Sequence, residues 1–479
     1  MSRLKAIFAA KDMTQGSPLK RILYFSIPLL IGNIAQQLYN TADSIIVGRY
    51  IGDNALAAVG SAGPVLNLLL VLFVGIAMGA GIMVSQYFGA KDRERLSRTI
   101  GICITLTAVA SLFIVIIGPL VSRPLLEFLK TPDSIIDWCE DYLSILFLGG
   151  FGFFYFNILS GILRGLGDSV SSLVFLLIAT ALNVGLDIWF VAGLNMGVPG
   201  VALATAIAQI ISAVLCFLKL LKMTDVFDMK LRYLKPIKEY TLRLLHLGLP
   251  SGLTQAIFSI AMIAVQSLTN SFGELIIACN VIVMRVDGFA MMPNFSFGNA
   301  MTTYVGQNVG AGRLDRVEQG TKSGLKLAVG VAATITVILL LFGRSLMTVF
   351  TDTTELVDTA MRMMRILAVG YVAMAVTQVF SGVMRGAGDT FTPMWISLLT
   401  AIAIRIPIAY TLVYFTRSAA YPKGRPESIF VSLLLAWIIG AAVNTFFYVR
   451  GKWREKAVRD FQKAESANVE KLRTEEVGT

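Results

Sequence analysis

Ser160-Gly161-Ile162-Leu163-Arg164-Gly165-Leu166-Gly167-Asp168 returns as Ser381-Gly382-Val383-Met384-Arg385-Gly386-Ala387-Gly388-Asp389, a spacing of 221 residues. Gln86-Tyr87-Phe88-Gly89-Ala90 returns as Gln307-Asn308-Val309-Gly310-Ala311 at the same spacing. One glycine-rich match would carry little weight, because glycines recur at turns. Two in one register, across nearly half the chain, point to a duplicated architecture.

Around these blocks the chain is strongly apolar. Of 479 residues, 56% are hydrophobic and 15% charged, against about 45–50% and about 25% in soluble domains. Mean hydropathy is +0.72. The excess falls in twelve runs, from 22–47, 55–87 and 99–121 through 137–162 to 428–449. Each is long enough to cross a bilayer, which takes about 20 residues. The expected fold class is an all-α membrane protein with twelve transmembrane helices in two parallel-repeat six-helix lobes. The expected divisions are an N-lobe at 1–218, a linker at 219–243, a C-lobe at 244–450 and a charged tail at 451–479.

Charge sets the orientation. The net charge of +11 could suggest nucleic acid, but the basic residues border the apolar runs on one side. Thirty Lys and Arg lie on the side of the two termini, and seven on the other. An excess of this kind marks the cytoplasmic side, so both termini are expected there. With six segments per copy, both copies enter the membrane in the same direction, a parallel repeat. No cleavable signal peptide is visible in residues 1–21. Cys103, Cys139, Cys216 and Cys279 lack a metal-type spacing. No nucleophile–base pair or metal cluster supports an enzyme, and no cofactor is expected.

Three aspartates, Asp43, Asp187 and Asp287, fall inside apolar runs. An intramembrane carboxylate costs about 2.5–3.5 kcal/mol to insert and marks a pathway or relay. Asp43 and Asp187 lie near the same ends of segments one and five. Asn183, four residues before Asp187, shares its helical face, and Thr205 adds a hydroxyl from segment six. Such oxygens could hold a hard cation, or the paired acids could carry a proton; alternatively each Asp merely caps or snorkels. Segment one carries a polar stripe at Asn33, Gln36, Gln37 and Asn40, read equally as inter-helix bonding or as a cavity wall. Pro28 predicts a bend in the same helix. Asp287 shares segment eight with Arg285, and Arg405 sits at mid-depth in segment eleven, so an Asp–Arg pair is the economical reading. Met284, Met291 and Met292, with Phe289, Phe295 and Phe297, read as packing or as an adaptable wall for apolar ligands. At the 221-residue offset, Asn183 and Asp187 face Ile404 and Ile408. The ion chemistry therefore does not repeat.

The chain resembles the multidrug and toxic compound extrusion (MATE) transporters, and within them the DinF-like bacterial branch. The two Arg-Gly-x-Gly-Asp turns carry the resemblance, with Leu182-Asn183-Val184-Gly185-Leu186-Asp187, the Gln86 and Gln307 segments, and Arg285 to Pro293. It covers residues 15–450. It implies two lobes around a V-shaped cavity in a bacterial plasma membrane, a monomer, and export of amphipathic, often cationic, compounds against inward H⁺ or Na⁺. Asp43, Asn183, Asp187 and Thr205 would form the cation site, with Asn157 or Ser160 nearby, and Pro28 would be the hinge. The residues themselves, apart from the resemblance, make Gln36, Asn40, Arg285, Asp287, Met291 and Arg405 the substrate-cavity candidates. Segments seven and ten offer Gln255, Gln266 and Gln378 where a related branch has carboxylates. Two rivals stand beside this reading: a flippase of lipid-linked glycan or another large amphiphile on the same fold, and a channel or scaffold.

Overall fold

The computed structural model describes residues 8–129, 131–419 and 421–457, with the backbone alone at 64, 65, 67–69 and 72. Most of the charged tail, and Arg3, Lys5 and Lys130 of the charge count, lie outside these residues. Helices make up the described chain: α1 Pro18–Tyr50, α2 Asp53–Gly89, α3 Arg93–Phe128, α4 Asp133–Leu148, α5 Gly150–Gly165, α6 Ser169–Asp187 and α7 Gly197–Leu221. The second set is α8 Lys238–Asn270, α9 Glu274–Gly310, α10 Leu314–Met347, α11 Thr354–Gly386, α12 Phe391–Leu398, α13 Arg405–Phe415 and α14 Glu427–Arg450. A π-helical turn, Ile188–Gly193, prolongs α6, and another, Leu399–Ile404, joins α12 to α13. Counting α4 with α5 and α12 with α13 as single spans leaves six spans per repeat.

The expected single run at 137–162 is two helices meeting at 52°. Gly149 marks the break because α7 presses against it: a Cβ there would lie 2.3 Å from that of Ala206. Three residues on, a Cβ at Gly152 would lie 2.5 Å from Ile210 N. Small residues at such crossings let backbones approach without side chains between them.

The repeated Ser-Gly-x-x-Arg-Gly-x-Gly-Asp block has the same structural cause in both copies. A Cβ on Gly161 or Gly165 would meet the backbone of α2 at 2.7 Å, at Ala77 O and Gly81 O. On Gly382 or Gly386 it would meet α9 at Gly298 O, 2.4 Å away, and Thr302 O, 2.5 Å away. The third glycine of each block turns the chain at positive φ, +82° at Gly167 and +92° at Gly388, where only glycine is free of strain. Asp168 then caps the next helix, accepting from Ser171 N at 2.9 Å, and Asp389 holds the start of its helix through Thr392, from Oγ1 at 2.6 Å and from N at 3.4 Å.

The helices divide into two compact units, Met1–Asp12 with Ile27–Gly252, and Met13–Ser26 with Leu253–Thr479. Both boundaries inside long helices fall beside a proline, Pro28 in α1 and Pro250 in α8. The α1 helix runs through Pro28 without a break. In the first unit, α2 and the start of α8 touch backbone to backbone: a Cβ at Gly75 would lie 2.5 Å from Gly252 N, and one at Gly79 2.8 Å from Gly248 N.

The linker at 219–243 is part of the first unit and lies along α3. Arg93, Ser97, Gly101 and Thr105, at helical spacing four, make one stripe that receives it. Arg93 donates to Thr224 O and Asp225 O and pairs with Asp228 at 2.8 Å. Ser97 Oγ accepts from Asp228 N at 2.8 Å, and Thr105 Oγ1 donates to Leu234 O at 2.7 Å. Gly101 leaves room for Tyr233 O, which a Cβ would meet at 2.3 Å. In the second unit the first turn of the tail is docked too. Trp453 is 1% exposed, stacks on Tyr448 and donates to its carbonyl at 2.9 Å.

Candidate functional site

Two polar sites lie inside the spans, one in each unit. In the first, α1 brings Asp43 to Asp187 at the last residue of α6, within hydrogen-bonding reach of each other. Asn183 and Asp187 are fully buried, and Asp43 is 9% exposed. Asp43 Oδ1, Asn183 Oδ1 and both carboxylate oxygens of Asp187 are buried without a hydrogen-bond partner. The neighbouring donors are turned elsewhere: Tyr39 hydroxyl donates to Thr205 Oγ1 at 3.2 Å, and Asn183 Nδ2 to the same atom at 3.3 Å. An apolar cluster with Ile46, Val47, Tyr142, Val191 and Val201 walls the site.

Buried oxygens of this kind cost free energy unless something positive or protic satisfies them. Two facing carboxylates cannot both stay charged without a cation, and cannot share a hydrogen bond without a proton. Two carboxylates with an amide and a hydroxyl are a donor set for a hard ion. Chemically, such a donor set can take up and give back a small positive charge.

Asn157 and Ser160 have no hydrogen bond to this cluster. Asn157 Nδ2 donates to Phe153 O at 2.9 Å within its own helix, and Ser160 pairs with Ser172 and accepts from Arg164. Tyr39 was missed, although it stands one helical turn before Asp43 and so shares its face.

In the second unit a cavity of about 280 Å³ opens between α8, α9, α11 and the α12–α14 region. Met262, Met284, Met291, Phe258, Phe295 and Trp437 give it an apolar wall. Asp287 and Arg405 are its charged groups. The expected Asp–Arg pair is not formed. Asp287 Oδ1 instead accepts from Tyr371 hydroxyl at 3.0 Å, while Arg405 Nε is buried with no partner. Arg285, two residues from Asp287, falls on another face of α9, is exposed and does not line the cavity. Gln36 and Asn40 belong to the first unit, where Asn40 is exposed. Met292 and Phe297 are buried as packing residues, and Phe289 is exposed.

The two sites correspond more closely than the 221-residue offset implies. A π turn holds one residue more than an α turn, and Leu399–Ile404 lies just before Arg405. The positions that follow it, up to those matching the first copy's own π turn at Ile188–Gly193, are therefore displaced by one. Exposure follows the shifted register: Ala181 and Gly185 are outward like Ala403 and Pro407, and Asp187 is buried like Ala409. Asn183 is thus matched by Arg405 and Asp187 by Ala409, not by Ile404 and Ile408.

The MatE family pattern matches residues 28–189 and again 250–411, two stretches whose ends stand 222 residues apart. The chain is 30% identical over 444 residues to the probable multidrug resistance protein YoeA of Bacillus subtilis (strain 168), covering 91% of this chain and 94% of that one. It is 28% identical to the probable multidrug resistance protein YpnP of the same organism, covering 93% and 98%. Among solved structures it is similar to a MATE crystal structure in the straight conformation, with TM-score 0.85 and 25% identity over 94% of this chain and 99% of that one.

Proposed function

From the premise that the chain belongs to the MatE family of multi-span membrane transporters, we propose that it exports amphipathic compounds in exchange for inward H⁺ or Na⁺. It would act as a monomer in the bacterial plasma membrane, with both termini in the cytoplasm. The names of YoeA and YpnP as multidrug resistance proteins support the export reading. The observation that carries the coupling is the set of four unsatisfied, buried oxygens on Asp43, Asn183 and Asp187.

The mechanism follows from that set. With a proton or sodium ion in place, Asp43 and Asp187 are held together and α1 is fixed against α6. Without it the two carboxylates repel, and α1 is released from its partner beyond Pro28. An ion and a substrate that bias this element in opposite directions give exchange. The binding residues that this chain supplies are Asp43, Asp187 and Asn183, with Thr205 and Tyr39 orienting them.

The flippase reading needs a strongly cationic cavity for a pyrophosphate head. Arg405 shares its cavity with Asp287, which favours the smaller amphiphile. The test is proteoliposome flux of a cationic dye under separately imposed pH and sodium gradients. Asp43→Asn and Asp187→Asn should each abolish gradient-driven flux. Wild-type rates in both variants would exclude this coupling site.

A further inference from the structure

The second-unit cavity contains an unusual pair of charges. Asp287 and Arg405 line the same space of about 280 Å³, yet they make no direct ion-pair contact. Asp287 is held by Tyr371, and Arg405 Nε, enclosed by protein, has no acceptor at all. A charge inside a membrane protein is retained at a cost unless something pairs with it. Had the two served only each other, direct ion-pair contact would be the cheapest arrangement.

The position of Arg405 adds to this. The π turn rotates it into the place that Asn183 holds in the first unit. The same point in the repeated fold thus presents an unsatisfied amide oxygen in one copy and a guanidinium to the cavity in the other. Arg405 also borders a smaller adjoining cavity where Gln266 and Asn280 bond to each other. The wall is methionine and aromatic, adaptable in shape and favourable to a flat apolar body.

We propose that this cavity binds a zwitterionic amphiphile, its acidic group on Arg405, its ammonium on Asp287 and its apolar body against the methionines and Trp437. A guanidinium recognises a carboxylate through several N–H donors at once, so the acidic group is the stronger determinant. As a statement about exported substrate this rests on the export reading; as a statement about binding it does not.

The test uses three ligands with one apolar body: 4-phenylphenylalanine, 2-(biphenyl-4-yl)ethylamine and 3-(biphenyl-4-yl)propionate. Each is titrated at pH 7 into the purified full chain while tryptophan emission is followed. The amino acid should bind at least tenfold more tightly than the amine, and more tightly than the propionate. The emission change should vanish in Trp437→Phe, which keeps an aromatic ring against Tyr371. Arg405→Gln should bring the amino acid down to the amine, and Asp287→Asn should bring it down to the propionate. If either variant does not fold, the ranking of the three ligands on the wild-type chain decides. Equal binding of all three, or an emission change that survives Trp437→Phe, overturns the proposal. Gradient-driven flux in proteoliposomes separates the two readings: the ranking without flux upholds this site and sinks export, while flux without the ranking does the reverse.

Discussion

Replacing Gly75 by alanine tests the backbone contact between α2 and α8. The added Cβ would lie 2.5 Å from Gly252 N and 2.6 Å from Gly248 O. Non-bonded heavy atoms settle at about 3.5 Å or more, so α2 and α8 must part by roughly 1 Å. The atoms in the way are backbone, and no side chain can swing aside to relieve the clash. Overpacking of this kind costs about 1–3 kcal/mol. Gly330→Ala is the matched control, because a Cβ there meets nothing within 4 Å in the interior of α10. It should stabilise by about 0.4–1 kcal/mol through the unfolded chain. Melting of the detergent-solubilised protein can be followed by thiol labelling of the four cysteines, all buried and free. Gly330→Ala should melt at or above wild type and Gly75→Ala clearly below it. Equal melting of the two variants would refute a backbone contact between α2 and α8.

Tyr39→Phe removes a long hydrogen bond to Thr205, 3.2 Å, worth about 0.5–1 kcal/mol. The coupling-ion concentration for half-maximal transport should move by roughly two- to fivefold, measured in proteoliposomes; an unchanged value would remove Tyr39 from the site. Arg93→Ala frees the connection at Thr224, Asp225 and Asp228, so trypsin should cut faster at Lys230, Arg232 and Lys235, read by gel. Arg93 also holds the Asp228 carboxyl below its usual range by direct hydrogen bonding. That contribution is full above the unfolded value of about 4 and is lost as pH falls through the lower folded value. Protection from an acid-active protease should therefore persist to pH about 4 and decline below it. Trp453→Ala empties a fully packed site on Tyr448 and should lower second-unit stability by about 3 kcal/mol, seen as an earlier melting transition.

Much of this molecule can be read from residue spacing. The offset blocks announce the duplication, and long apolar runs announce the spans, because lipid leaves the backbone few alternatives. Asp43, Asn183 and Asp187 stood out because polar groups in such runs are rare. Tyr39 was within reach of the same reasoning, one turn before Asp43. Tyr371 was not, since it meets Asp287 from a helix 84 positions away and nothing local marks it. The π turn left at most a faint trace, since the matched stretches stand 222 residues apart at both ends while the offset blocks between them stand 221 apart. That trace means nothing until a one-residue insertion is known to turn a helix face. The docking of the linker along α3 was not legible for a similar reason: its basic residues and proline do not mark what they touch, and Gly101 and its stripe are recognisable only as a groove.

The docked connection has a practical consequence for anyone who edits this chain. Residues 222–237 would be the natural choice for inserting a reporter or dividing the gene, being polar and lying between the two copies. Yet Tyr233 O sits where even a methyl group on Gly101 would not fit, and Leu234 is tied to Thr105. An insertion there would disturb the first unit itself. A fusion placed beyond Ala457, past the docked Trp453, leaves each of these contacts in place.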